Sequence, residues 1–258
     1  MITSTSSNQV KHVIQLIKKS KIRKECQEFV VEGARMVREA PLDRLVKMYA
    51  SETFYENHRE FFENVPKDQV ELVSDHVFSQ MSDTQTPQGV MAIVQMQSVE
   101  WKDIVKGNPL ILMVENLQDP GNLGTIVRMG EGAGVTGVIM SANTVDIYNP
   151  KTIRSTMGSI YRVPFMYVSD FTEAMKECQK EGISLYAAHL DGKNIYTEEN
   201  YTKPTGFLIG NEGNGLTDAA TSVADTLIRI PMEGQVESLN AAIACTVLTY
   251  EAMRQRRK

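Results

Sequence analysis

Short apolar runs alternate with amphipathic stretches along nearly the whole chain. Residues 9–18 put Val10, Val13, Ile14 and Ile17 on one helical face and the lysines mostly on the other. Residues 28–33 read as a short strand running into a turn, and 34–40 as a helix stopped near Pro41. The same reading gives a strand at 45–50, a charged helix at 52–64, a short apolar strand at 71–73, and a brief helix at 75–81 with Ser74 as its cap. A β run at 89–94 closes the set. Such alternation predicts a small α/β unit of roughly 95 residues.

After a polar stretch containing Trp101, the pattern restarts with the wholly apolar run 110–114, the mark of a strand covered on both faces. A polar loop, 115–124, leads to a helix over 125–131 and a strand at 135–140. Asn149-Pro150 breaks the chain, and 152–159 reads as helical. A strand follows from Val163, then a helix at 171–181 ended by Gly182, and a strand at 183–189 that turns at Asp191-Gly192. Two further strands, 207–209 and 227–230, each end in a loop. Ser238 is placed to cap a final helix with Leu239, Ile243 and Val247 at helical spacing. Six strands alternating with helices predict a mostly parallel sheet. The expected division is a first domain at 1–97, a linker at 98–107 and a second domain at 108–258, with Trp101 packed on the second.

Composition narrows the class. The chain has 258 residues, of which 42% are hydrophobic and 23% charged, as in a soluble globular protein. No apolar run approaches the length of a membrane span, and the N-terminus lacks the apolar centre of a signal peptide. A cytoplasmic protein without membrane contact is expected. Cys26, Cys178 and Cys245 form no C-x-x-C pair, and His12, His58, His76 and His189 have no metal-ligand spacing, so neither disulfides nor a metal are expected. The net charge of −5 argues against a nucleic-acid partner, but its distribution argues for one. Met1 to Lys24 holds no acidic residue and six basic ones, and the chain closes on Arg254, Arg256, Arg257 and Lys258. Local basic patches, more than the total, set affinity for phosphate.

One motif misleads. Gly132-Ala133-Gly134-Val135-Thr136-Gly137 fits G-x-G-x-x-G, yet it follows a helix and precedes a strand, the reverse of a dinucleotide site. A helix C-cap and turn is the better reading. Three other elements occur in order: Asn122 with Arg128 six residues on; Gly210-Asn211-Glu212-Gly213-x-Gly215; and Ile230-Pro231-Met232 followed by Ser238-Leu239-Asn240. Singly, each is ordinary, since Arg128 could be a surface helix arginine, Glu212 a turn carboxylate and Ser238 only a cap. In this order and separation they resemble the three motifs of the SpoU (TrmH-like) branch of the SPOUT methyltransferases, which move a methyl group from S-adenosylmethionine to an RNA ribose 2′-hydroxyl. The resemblance is strong from Leu110 to Arg257. It is weaker over the first domain, which is similar to the small α/β ribosomal-protein-L30-like RNA-binding domain often fused in front.

The resemblance implies an α/β fold whose C-terminal part is threaded as a deep trefoil knot, an exception to the rule against threading, and a homodimer. It implies Asn122, Arg128, Glu212, Ser238 and Asn240 as the catalytic set. It implies S-adenosylmethionine as the cofactor, bound at Leu208, Ile209, Gly210, Ile230, Met232 and Leu239. The separate first domain favours ribosomal RNA, most simply 23S, as the substrate. Transfer RNA, or a non-catalytic RNA-binding role, are the alternatives. A guanidinium keeps its proton, so Arg128 is expected to stabilise charge on the ribose oxygen, and the route of the proton stays open.

Overall fold

The computed structural model describes every residue except Glu237 and Lys258; the last basic residue of the C-terminal run therefore lies outside the described residues. The chain forms two compact units, Met1–Ser98 with Asp146–Tyr161, and Val99–Val145 with the chain from Arg162 onward. This partition differs from the contiguous division expected at 97 and 108. The expected linker goes with the second unit, and a piece of the second half goes with the first.

The first unit is built on a four-stranded sheet: β1 (Glu28–Glu32), β2 (Leu45–Ser51), β3 (Val70–Val73) and β4 (Val90–Gln95), in the order β1-β4-β2-β3. The β2–β3 pair is parallel and the other two pairs are antiparallel. Helix Asn8–Lys18 lays Val10, Val13 and Leu16, all fully buried, against Val77, Phe78, Met81 and Met91. A second helix, Ser20–Cys26, was not anticipated. Its key residue is Arg23, 4% exposed, whose guanidinium donates to Leu16 O at 2.7 Å and Ile17 O at 3.1 Å and pairs with Asp146 at 2.6 Å. A buried arginine thus satisfies carbonyls at the end of the first helix, something periodicity does not report. The charged helix expected at 52–64 is split at His58 into Glu52–Asn57 and a 3-10 turn, Arg59–Phe62. Ser51 caps the former by accepting from Phe54 N, whereas Ser74, at the head of helix Asp75–Met81, makes no side-chain cap. Segment 146–161 brings helix Pro150–Thr156 and Tyr148, whose ring centroid lies 4.6 Å from that of Phe29.

Among the described residues the second unit contains seven strands: β5 (Leu110–Val114), β6 (Gly137–Ser141), β7 (Phe165–Val168), β8 (Ser184–Ala188), β9 (Asn194–Ile195), β10 (Thr205–Ile209) and β11 (Thr226–Arg229). Their order is β7-β6-β5-β10-β8-β11-β9, and every pairing is parallel. The six expected strands are present, with the two-residue β9 added at an edge. β5, β6 and β10 are buried at every position, as parallel strands covered on both faces require. Residues 98–107 are not an open linker. They carry helix Trp101–Val105, which buries Ile104 over Gly137, where a Cβ would come within 2.7 Å of the Ile104 side chain. Gly134 ends helix Pro120–Ala133 in the left-handed conformation (φ 78°), so the misleading glycine run is a C-cap.

The final helix, Ala241–Arg256, packs Ala242, Cys245, Leu248, Thr249 and Ala252 inward. Its outer side is apolar too, with Ile243 50% and Tyr250 41% exposed and Val247 half-buried between them. The apolar stripe Ile243–Val247–Tyr250 ends at the exposed Arg254, and a rimmed apolar patch of this kind marks a contact surface.

Candidate active site

Because the sheet is parallel throughout, all its carboxyl-end loops gather on one edge, where open α/β sheets bind ligands. Helix Pro120–Ala133 begins five residues earlier than its periodicity predicts. Asp119 caps it by accepting from Asn122 N at 2.8 Å, and Pro120 fills the first helical position. Asn122 therefore stands on a helical turn and not in a loop, and its orientation is fixed.

Its side chain links two other loops. Asn122 Nδ2 donates to Glu212 Oε1 at 3.1 Å, and Asn122 Oδ1 accepts from Asn240 Nδ2 at 3.0 Å. Glu212 also accepts from the backbone N–H of Asp119 at 2.9 Å and of Gln118 at 3.1 Å. Desolvation pushes the Glu212 carboxyl up, but the hydrogen bonds from Asp119, Asn122 and Gln118 outweigh it and hold the group below the usual carboxylate range. Asn240 is the N-cap of the final helix, accepting from Ala242 N at 2.9 Å and Ile243 N at 3.3 Å. The cap expected at Ser238 is thus two residues late. Asn and Ser cap about equally well, and here the amide wins because its second group also reaches Asn122.

Three of the five expected catalytic residues are joined in this way. The other two are not. Ser238 is exposed and makes no hydrogen bond among the described residues. Arg128 lies six residues beyond Asn122, about 240° around the helix, exposed and without a hydrogen-bond or ion-pair partner among the described residues. It shares an exposed stripe with Thr125 and Gly132. Tyr250 Oη borders that stripe, 3.1 Å from where a Cβ on Gly132 would be.

Of the expected cofactor positions, Leu208 and Ile209 are buried in β10, while Ile230, Met232 and Leu239 are half-buried on the loops after β11 and before the final helix. Gly210 begins the turn between them. A Cβ there would lie 2.1 Å from Gly215 C and 2.2 Å from Leu216 N, so only glycine lets the turn close, with Asn211 and Gly215 exchanging backbone hydrogen bonds at 2.9 Å. Half-covered apolar side chains beside a tight backbone turn suit a flat heterocycle with a polar edge.

Sequence reasoning passed over a second group. A cavity of about 320 Å³ opens beside the glycine turn, lined chiefly by Asn116, Gln118, Asn143, Asn211 and Asn214. The only signal was the amide-rich loop after the first buried strand. Asn116 adopts φ 55°, which asparagine tolerates better than most residues, and is pinned by Ser141 Oγ, which accepts from Asn116 N at 2.8 Å.

The model of the SpoU rRNA methylase family matches residues 109–250, more than half of the chain. The chain belongs to the SpoU family. A second model, that of an MRM3-like substrate binding domain, matches residues 7–92. Among relatives of this SpoU protein, the Bacillus subtilis 23S rRNA (guanosine(2553)-2'-O)-methyltransferase RlmP is 31% identical over 257 residues, covering 96% of this chain and 97% of the relative. A Streptomyces viridochromogenes 23S rRNA (uridine(2479)-2'-O)-methyltransferase is 32% identical over 204 residues, covering 77% and 71%. The crystal structure of the SpoU methyltransferase AviRb from Streptomyces viridochromogenes, in complex with the cofactor AdoMet, superimposes with a TM-score of 0.87 at 28% identity, covering 98% of this chain and 99% of that one.

Proposed function

We propose that this SpoU protein transfers a methyl group from S-adenosylmethionine to the 2′-hydroxyl of one ribose in 23S ribosomal RNA. The observation that carries the reading is the hydrogen-bonded series Glu212–Asn122–Asn240, which ties the glycine turn after β10, the first turn of helix Pro120–Ala133 and the cap of the final helix together at the carboxyl edge of the sheet. Two relatives named as 23S rRNA 2'-O-methyltransferases favour ribosomal over transfer RNA. The first unit, with its basic N-terminal helices and its match to a substrate-binding family, is assigned to RNA binding.

S-adenosylmethionine, when bound, supplies an electrophilic methyl, so the protein's own task is orientation and charge. The turn at Gly210, with Leu208 and Ile209 behind it and Ile230, Met232 and Leu239 around it, holds the cofactor. In this reading the C-terminal segment is threaded as a trefoil knot, which brings these loops together. Glu212, kept ionised by its three donors, accepts from and orients the ribose together with Asn122 and Asn240. Arg128, a guanidinium unengaged among the described residues, stabilises charge as it develops on the ribose oxygen. Ser238, exposed beside Asn240, faces the same opening. The apolar outer side of the final helix, Ile243 to Tyr250, is the surface on which a second copy of the chain docks. No described helix is long and apolar enough to cross a membrane, and the reading places the protein in the cytoplasm with its substrate.

Incubation with labelled S-adenosylmethionine and RNA from cells lacking the protein, followed by mapping of 2′-O-methyl sites, tests the proposal. Label at one ribose of 23S RNA is expected. Label in small RNA would move the substrate to transfer RNA, and no label would leave an RNA-binding protein without catalysis.

A further inference from the structure

The amide-lined cavity is not used by the catalytic series, yet it shares a wall with it. We infer that it receives the base of the nucleotide being methylated, an inference that rests on the methyl-transfer reading. At about 320 Å³ it lies at the small end of ligand sites, which span about 300–1,000 Å³. None of its lining residues is ionisable, so it suits a neutral group rich in donors and acceptors and not a phosphate.

Counting the amide hydrogen bonds separates walls from readers. Asn211 is fully engaged: Nδ2 donates to Asn116 O at 2.8 Å, and Oδ1 accepts from Gly213 N at 2.9 Å and Asn214 N at 3.1 Å. Gln118 spends its Nε2 hydrogens on Asn116 O at 2.9 Å and Asn143 O at 2.8 Å, which leaves Oε1 as an acceptor. Asn116 Oδ1 accepts from Ser141 Oγ at 3.1 Å, which leaves Nδ2 as a donor. The side chains of Asn143 and Asn214 are exposed and make no hydrogen bond among the described residues. Some amides thus fix the loops and others stay free, an arrangement organised before a ligand arrives. Asparagine and glutamine are the side chains whose paired donor and acceptor match the edge of a base, and RNA readers take unstacked bases on such edges.

Position supports the same assignment. Gln118 N and Asn211 Nδ2 both approach Glu212 Oε2, at 3.1 and 3.5 Å. The cavity loops follow β5, β6 and β10, whereas the cofactor positions lie at the end of β10 and the start of its turn, on the loop after β11, and at Leu239 before the final helix. A ribose held at Glu212 therefore has its base on one side of the glycine turn and the methyl donor on the other. A base entering a cavity must leave its stack, as in other enzymes that act on single nucleotides.

The test uses the full-length protein and short RNA hairpins carrying the mapped nucleotide with each of the four bases in turn. The double variant Asn143→Ala, Asn214→Ala is expected to lower kcat/KM on the preferred hairpin roughly tenfold, the cost of one or two lost hydrogen bonds. It should lower it less on the other three, flattening base preference, while the Kd for S-adenosylmethionine measured by calorimetry stays unchanged. An equal loss on all four hairpins, no loss, or a weakened cofactor Kd would overturn the base pocket while leaving methyl transfer in place. A wild-type protein that methylates no RNA would remove both.

Discussion

Replacing Asn122 by aspartate changes almost no volume but reverses one interaction. The Nδ2 that donates to Glu212 Oε1 at 3.1 Å becomes an oxygen facing an oxygen. Two unit charges at that distance repel by about 1 kcal/mol in water and about 5 kcal/mol at an effective dielectric of 20. Glu212 is exposed and Asn122 half-buried, so the low end applies. A lost hydrogen bond to a carboxylate adds about 1.5–3 kcal/mol. The total is about 3 kcal/mol, or about 6–12 °C in Tm for a unit of this size. The deficit carries a pH signature. Two carboxylates sharing one site hold a proton to higher pH folded than unfolded. The deficit is therefore full above the raised folded value and fades as pH falls towards the unfolded carboxylate range near about 4. Wild-type Glu212 behaves oppositely: its folded pKa is lowered, so its contribution is present above the ordinary carboxylate value and goes only as pH falls through the lowered one. Thermal unfolding of both proteins at pH 7.5, 6 and 5 measures this. A variant as stable as wild type at pH 7.5, or a deficit that does not shrink with acid, would refute the Glu212–Asn122 bond.

Arg128→Ala should reduce methyl transfer by about 100-fold or more with the cofactor Kd nearly unchanged by calorimetry; near-normal turnover would remove Arg128 from the chemistry. Gly210→Ala places a Cβ 2.1 Å from backbone, so a loss of about 1–3 kcal/mol and weaker cofactor binding are expected by denaturation and calorimetry. Ile243→Asp with Tyr250→Asp should leave a folded monomer by analytical ultracentrifugation if the outer side of the final helix seats a second copy; an unchanged mass would show that it does not.

The parallel sheet was legible because uninterrupted apolar runs such as 110–114 and 207–209 occur where both faces are covered. The rejection of the 132–137 glycines also followed from order alone, and Gly134 is a C-cap. Other features depend on groups distant in sequence. Ser238 and Asn240 are equally good caps in isolation, and only the contact with Asn122, 118 residues earlier, selects Asn240. Arg23, the buried residue of the Ser20–Cys26 helix, has its carboxylate partner Asp146 far away in sequence. Segment 146–161 joins the first unit through Tyr148 against Phe29, a pairing no local pattern encodes. The readers in the cavity were hidden because a free amide differs from an engaged one only after the loops meet.

The strand at the heart of the larger sheet arrives late in synthesis. β10, residues 205–209, bonds β5 on one side and β8 on the other, both made before it, β5 long before. Until it emerges, the earlier strands carry open edges that are ready to pair with anything extended. A chain shortened before it would also lack β11, leaving β7-β6-β5 as a partial sheet and β8 without a partner, prone to aggregate and not merely a slower enzyme. The architecture makes the nascent chain most vulnerable just before its central strand emerges.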